Sequence, residues 1–208
     1  FSAEPTSIRW IGNERGIAGD PVWHKVKKAN ITENVKNEYL NHGDPDGDMY
    51  SVGEADVSIR SGWFYHDNQQ PKSLKELMDI YFKSVGRGTP LLLNIPPNKE
   101  GKFADADVTR LKEFKATLDQ MYTTDFAKGA TVTASSTRQN HLYKASNLTD
   151  GKDNTSWALS NDATTGSFTV DLGQKRRFDV VELKEAIAKG QRISGFKIEV
   201  EINGRWVP

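Results

Sequence analysis

Apolar and polar residues change rhythm several times along the chain. Ser7-Ile8-Arg9-Trp10-Ile11 alternates with a period of two, as does Asp56-Val57-Ser58-Ile59-Arg60, which predicts strands whose two faces meet different surroundings. From Ser73 the period becomes helical, with Leu74, Leu77, Met78, Tyr81 and Val85 on one face until Gly86 and Gly88 end the run. Ser73 with Glu76 three residues on is a capping-box pattern, in which each residue's side chain binds the other's backbone N–H. A second helix is predicted from Asp105, carrying Val108, Leu111, Phe114, Leu118 and Met121 at helical spacing. Between the helices, Leu91-Leu92-Leu93-Asn94-Ile95 is a short apolar run closed by Pro96-Pro97, and predicts a strand buried on both faces of a parallel sheet. Strand, long loop, strand, helix, strand, helix is the order of a parallel α/β domain. Three strands are too few to close a barrel, so residues 1–128 are expected to be the end of a larger domain.

From residue 129 the pattern is all β. Runs at 130–134, 167–172 and 196–202 read as strands, with turn signals at Asp150-Gly151, Leu172-Gly173 and Asn203-Gly204. The alternation suits a sandwich with one buried face per strand, so 129–208 is expected to be the start of an all-β sandwich. The absence of an initial Met and the stop at Val207-Pro208, directly after a strand-like run, are expected to be cut ends.

Composition narrows the function classes. The 208 residues carry 28 Lys+Arg against 28 Asp+Glu, and no basic stretch offers the charge density that phosphate binding needs, so nucleic acid is not the expected partner. No run approaches the roughly 18 apolar residues of a membrane span. Zero cysteines exclude disulfides, thiolate metal sites and a cysteine nucleophile. Four histidines show no i, i+3 or i, i+4 pairing, and no nucleophile elbow, phosphate loop or dinucleotide fingerprint occurs.

Three segments hold candidate chemistry. Arg9-Trp10-Ile11-Gly12-Asn13-Glu14-Arg15-Gly16 follows a predicted parallel strand, at the end where barrels carry catalytic side chains. Glu14 there has two readings, a general acid/base or a structural ion pair with Arg9 or Arg15. Residues 53–66 contain Glu54 and three consecutive aromatics, Trp63, Phe64 and Tyr65. Such rings either stack on the apolar face of a sugar or form a lid over the core. In 145–157, Asp150, Asp153 and Thr155 offer hard oxygens suited to Ca²⁺, or an Asx-type turn without metal. Asp44-Pro45-Asp46-Gly47-Asp48 has its glycine at the fourth position instead of the sixth and reads as a solvated turn.

Taken together, the stretches Arg-Trp-Ile-Gly-Asn-Glu-Arg-Gly at 9–16, Asp-Val-Ser-Ile-Arg-Ser-Gly-Trp-Phe-Tyr-His at 56–66, Ser-Leu-Lys-Glu-Leu-Met-Asp-Ile-Tyr-Phe-Lys-Ser-Val-Gly-Arg at 73–87 and Leu-Leu-Leu-Asn-Ile-Pro-Pro at 91–97 resemble glycoside hydrolase family 29 α-L-fucosidases of the α-1,3/1,4 subfamily. The likeness covers about residues 6–122. It implies the C-terminal part of a (β/α)₈-like barrel. Ala145-Ser146-Asn147-Leu148-Thr149-Asp150-Gly151 with Thr155 and Trp157 resembles a discoidin-type, or factor V/VIII type C, domain.

The resemblance implies a retaining exo-glycosidase acting on fucosylated, Lewis-type glycans. Glu14 stands where the subfamily places its acid/base, and the nucleophile is an upstream Asp in a Trp-Phe-Asp-Gly-like motif that this sequence does not contain. Trp63 is the expected stacking partner of fucose, with Glu54, Trp10 and Arg15 lining the pocket. Family histidines that hold fucose hydroxyls are expected upstream, so His66 is not given that role. No cofactor is expected for catalysis, and the likeness implies a structural Ca²⁺ at Asp150, Asp153 and Thr155. The segment alone is expected to be inactive. The rival expectation is a non-catalytic fucose- or galactose-binding, lectin-like protein.

Overall fold

The computed structural model describes residues 7–138 and 141–208. Contacts divide the chain into two units, Phe1–Gln120 and Met121–Pro208, and each is described by itself.

The first unit runs β1 (Ile8–Trp10), β2 (Lys25–Val26), α1 (Asn37–His42), β3 (Met49–Tyr50), β4 (Val52–Ser58), α2 (Leu74–Lys83), β5 (Leu91–Asn94) and α3 (Asp105–Met121). β1, β4 and β5 form a parallel sheet with β4 in the middle, and β2 pairs antiparallel with β3. The register sets Trp10 beside Glu54, and Asp56 and Ser58 beside Leu92 and Asn94. Alternation along β4 decides its two faces. Gly53, Ala55 and Val57 are buried, and Ala55 packs with Ile11, Ala18 and Leu91 in the core. Glu54, Asp56 and Ser58 therefore share the opposite, polar face.

The capping box at α2 forms as expected: Ser73 Oγ accepts from the Glu76 N–H at 3.2 Å, and Glu76 Oε2 accepts from the Ser73 N–H at 2.7 Å. The buried face of α2 is Leu77 with Ile80, however, and Val85 lies past the helix end, 40% exposed. The helix is rotated toward Ile80, whose Cγ2 lies against Gly16.

One expectation is corrected. β5 is not buried on both faces: among the described strands it pairs with β4 alone, and Leu92, on the polar face of β4, is 47% exposed. Along α3 the apolar stripe is only half-buried, and the buried residue is Asp107. Its carboxylate is drawn in by the Arg60 guanidinium.

In the second unit β6 (Thr131–Ala134) pairs antiparallel with β7 (Phe168–Asp171), and β8 (Val200–Ile202) with β9 (Arg205–Val207). Asn203 and Gly204, both at positive φ, turn the β8–β9 hairpin as the Asn-Gly signal predicts. The strand expected from Phe196 is extended only from Val200. Trp157 sets its ring edge-on to Phe168, centroids 5.5 Å apart, and donates its indole N–H to the Ser136 carbonyl. The two paired ladders are what the structure shows of the expected sandwich.

Candidate active site

The polar end of the parallel sheet is built from the loop that follows β1. Ile11 is fully buried, and the chain then turns through Gly12 and Gly16, at φ of +77° and +70°. A Cβ on Gly12 would lie 2.6 Å from the Asn37 carbonyl oxygen, and one on Gly16 would lie 2.8 Å from Ile80 Cγ2, so both positions need glycine on conformation and on space. Between them Asn13 Nδ2 donates to the Ile17 carbonyl at 2.9 Å, and Asn13 Oδ1 accepts from the Arg15 N–H at 3.1 Å. The Gly16 N–H donates to the Asp56 carbonyl on β4 at 2.9 Å. The loop is thus tied at both ends and presents Glu14 outward.

Glu14 meets Trp63, from the loop after β4: the indole Nε1–H donates to Glu14 Oε2 at 2.7 Å. Trp63 is half-buried and its neighbour Phe64 is 80% exposed, so Phe64 covers no core. The main chain of Trp63 is also held, because Asn94 Nδ2 donates to its carbonyl at 3.0 Å and to Ser58 Oγ at 3.1 Å.

The ion-pair reading of Glu14 with Arg9 does not hold. Arg9 lies on the buried face, where its guanidinium donates to the carbonyls of Leu40 at 2.8 Å, Trp23 at 2.6 Å and Ser51. Burial pulls this group down to about 10, still charged at neutral pH. Arg15 is exposed in the loop itself and bridges through its backbone to Val57.

Trp10 lies on the polar face and donates its indole N–H to Asp56 Oδ1 at 2.7 Å. Burial raises the Asp56 carboxyl above the usual range, and the nearby charge of Glu14 adds to this against the opposing hydrogen bond from Trp10. Glu54 sits one pleat before Asp56, half-buried on the same face. The structure therefore brings Glu14 and Trp63 into contact and puts Trp10 and Glu54 on the adjoining face. Sequence reasoning missed Asp56 and Asn94 as members of this cluster. The period-two spacing of Glu54, Asp56 and Ser58 carries the signal for Asp56, whereas Asn94 becomes visible only once the β4–β5 register is known.

In the second unit Thr155 Oγ1 donates to Asp150 at 2.8 Å, and the Lys152 N–H donates to the same carboxylate at 2.9 Å. The Asp153 side chain is 96% exposed and lies 3.9 Å from the Lys184 ammonium. Among the described residues no three His, Cys, Asp or Glu side chains gather as a metal-holding group. Asp150 and Thr155 have the oxygen chemistry of Ca²⁺ ligands, while Asp153, beside an ammonium, fits less well.

The family described as Alpha-L-fucosidase matches residues 16–121, and the F5/8 type C domain matches residues 131–208. Alpha-L-fucosidase 1 of Arabidopsis thaliana is 33% identical over 98% of this chain and 41% of its own length. The crystal structure of SpGH29 superposes with a TM-score of 0.93 at 51% identity, covering 99% of this chain and 45% of that one. A Ruminococcus gnavus GH29 fucosidase solved in complex with fucose gives a TM-score of 0.85 at 41% identity, over 97% of this chain and 42% of its own. The chain spans about two fifths of the length of the curated relatives it matches. No helix among the described residues is long and apolar enough to cross a membrane. With the family match extending over the β1 loop from Gly16, β4, β5 and both long helices, the chain belongs to the alpha-L-fucosidase family and continues into an F5/8 type C domain.

Proposed function

We propose that this chain supplies the acid/base side of a retaining exo-glycosidase that releases α-1,3/1,4-linked L-fucose from Lewis-type glycans. The observation that carries the reading is the Trp63 indole on the Glu14 carboxylate at 2.7 Å, at the strand end where barrels of this kind do their chemistry. Family membership adds the reaction class.

In the first step an Asp carboxylate from outside residues 1–208 bonds to the anomeric carbon. The bond from that carbon to the glycosidic oxygen breaks, and protonated Glu14 delivers its proton to the departing oxygen. In the second step the Glu14 carboxylate takes a proton from water as the water oxygen attacks the same carbon and the Asp leaves. Trp63 offers its ring face to fucose, and Trp10, Glu54 and Arg15 complete the wall. No cofactor enters.

Replacing Glu14 by Gln or Ala in the full-length protein tests this. A loss of about 10²- to 10⁴-fold in fucosyl hydrolysis is expected, with rescue of the Ala variant by azide; an unchanged rate contradicts the assignment. A non-catalytic lectin is disfavoured because the family match lies on the barrel-like unit. In the second unit, Asp150 and Thr155, with Asp153 swung from Lys184, would hold a Ca²⁺ that stiffens their loop and takes no part in catalysis.

A further inference from the structure

We infer that Trp63 is the positioning residue of the acid/base and that Asn94 holds it in place, so that a hydrogen-bond chain running from β5 sets the direction in which Glu14 gives its proton. This rests on the acid/base reading of Glu14 and goes beyond it, because Trp63 there only stacks on sugar and Asn94 has no role.

The donor and acceptor roles in the chain leave little freedom. An indole Nε1–H can only donate, so Glu14 Oε2, 2.7 Å away, must accept. The carbonyl oxygen of a protonated carboxyl is the better acceptor, so this bond favours the proton of Glu14 on Oε1, the oxygen Trp63 does not occupy. A backbone carbonyl can only accept, so the amide nitrogen of Asn94 is the end that faces Trp63, at 3.0 Å. The other amide hydrogen reaches Ser58 Oγ at 3.1 Å, which also accepts from the Arg60 N–H at 3.3 Å. Asn94 and Ser58 end neighbouring parallel strands in register, so the grip on the Trp63 main chain comes from the sheet. Glu14 itself stands on a loop anchored at Gly12 and Gly16, and its carboxylate would otherwise turn freely in solvent. A misdirected proton donor matters most where the leaving group cannot depart without a proton.

The test compares kcat/KM on two fucosides, one with a sugar leaving group and one with 2,4-dinitrophenolate, which leaves unprotonated. Trp63→Phe removes the N–H and keeps a smaller aromatic face, whose weaker stacking would affect both substrates alike. It is expected to lose on the order of 10- to 100-fold on the glycan and much less on the dinitrophenyl fucoside. Asn94→Ala is expected to show the same selective loss in smaller degree, and it serves where Trp63→Phe fails to fold. Equal losses on both substrates, or no loss on the glycan, overturn the inference. Glu14→Ala is the control: if its loss is leaving-group selective and that of Trp63→Phe is not, only the positioning role fails, and if neither is selective the acid/base reading fails first.

Discussion

The guanidinium of Arg60 and the carboxylate of Asp107 meet inside the first unit, Nε standing 3.0 and 3.1 Å from the two oxygens, with side chains 3% and 0% exposed. Arg60 also donates to the carbonyls of His66 and Gln69 and lies 4.7 Å from the centroid of the Tyr65 ring. One buried ion pair thus ties α3 to both arms of the loop that carries Trp63. Asp107→Ala should cost about 3–5 kcal/mol by stranding a buried charge. Urea unfolding measures this, and a cost near zero would show that the pair does not hold the loop.

His24 gives the fold an acid limit. Its Nδ1 accepts from the Gly53 N–H at 3.3 Å, so Nε2 carries the proton and donates to the Gly88 carbonyl at 2.9 Å. Burial lowers its pKa, the Gly88 bond opposes this, and the Arg9 charge lowers it again. A depressed histidine contributes stability that is present above the unfolded value of about 6.5 and is lost as pH falls through the folded value. The urea midpoint should therefore drop below that pH in the parent protein, and the drop should shrink in His24→Gln. An identical slope in both would remove His24 from the account.

Asp56 acts in the other direction. Its raised pKa means that its contribution is full below the ordinary carboxylate range and fades as pH rises through the folded value, because burial disfavours the charged form and the nearby charge of Glu14 adds to this. Asp56→Asn keeps an oxygen for the Trp10 indole and removes the charge. Across that window the variant should gain stability relative to the parent as pH rises, measured by the difference in unfolding midpoints. A constant difference would show that Asp56 is uncoupled from its neighbours.

Calcium should act on the second unit alone. Titrating Ca²⁺ after chelation should raise the melting temperature of an isolated 121–208 transition by mass action, and Asp150→Ala should abolish the rise. A melting curve indifferent to Ca²⁺ would leave the Thr155–Asp150 hydrogen bond as an ordinary turn contact.

Local pattern made part of this legible. The Ser73–Glu76 box and the Asn203-Gly204 turn are properties of a few adjacent residues, and each formed as the spacing predicts. The strand expected at 56–60 is instead the end of β4, which begins at Val52 and stops at Ser58, and Val57, Ser58, Ile59 and Arg60 are all buried, because Arg60 finds a buried partner in Asp107. Glu14 and Trp63 were both visible as candidates, but their contact spans 49 positions and needs the β1–β4 pairing before it can be seen. The burial of Asp107 was hidden for the same reason, since its partner lies 47 residues away. Leu92 misled because three leucines in a row describe a buried strand equally well whether or not another layer packs on each of its faces.

The proposed acid/base role of Glu14 can be read from the anomer formed when azide rescues Glu14→Ala. In a retaining α-fucosidase the covalent intermediate is β-linked, so azide replacing the missing base attacks that intermediate and yields α-L-fucosyl azide. That product, identified by NMR, is the expected result. The β-anomer would mean that azide stands in for the nucleophile, and no fucosyl azide at all would mean that Glu14 does not do the proton transfer; either result contradicts the assignment.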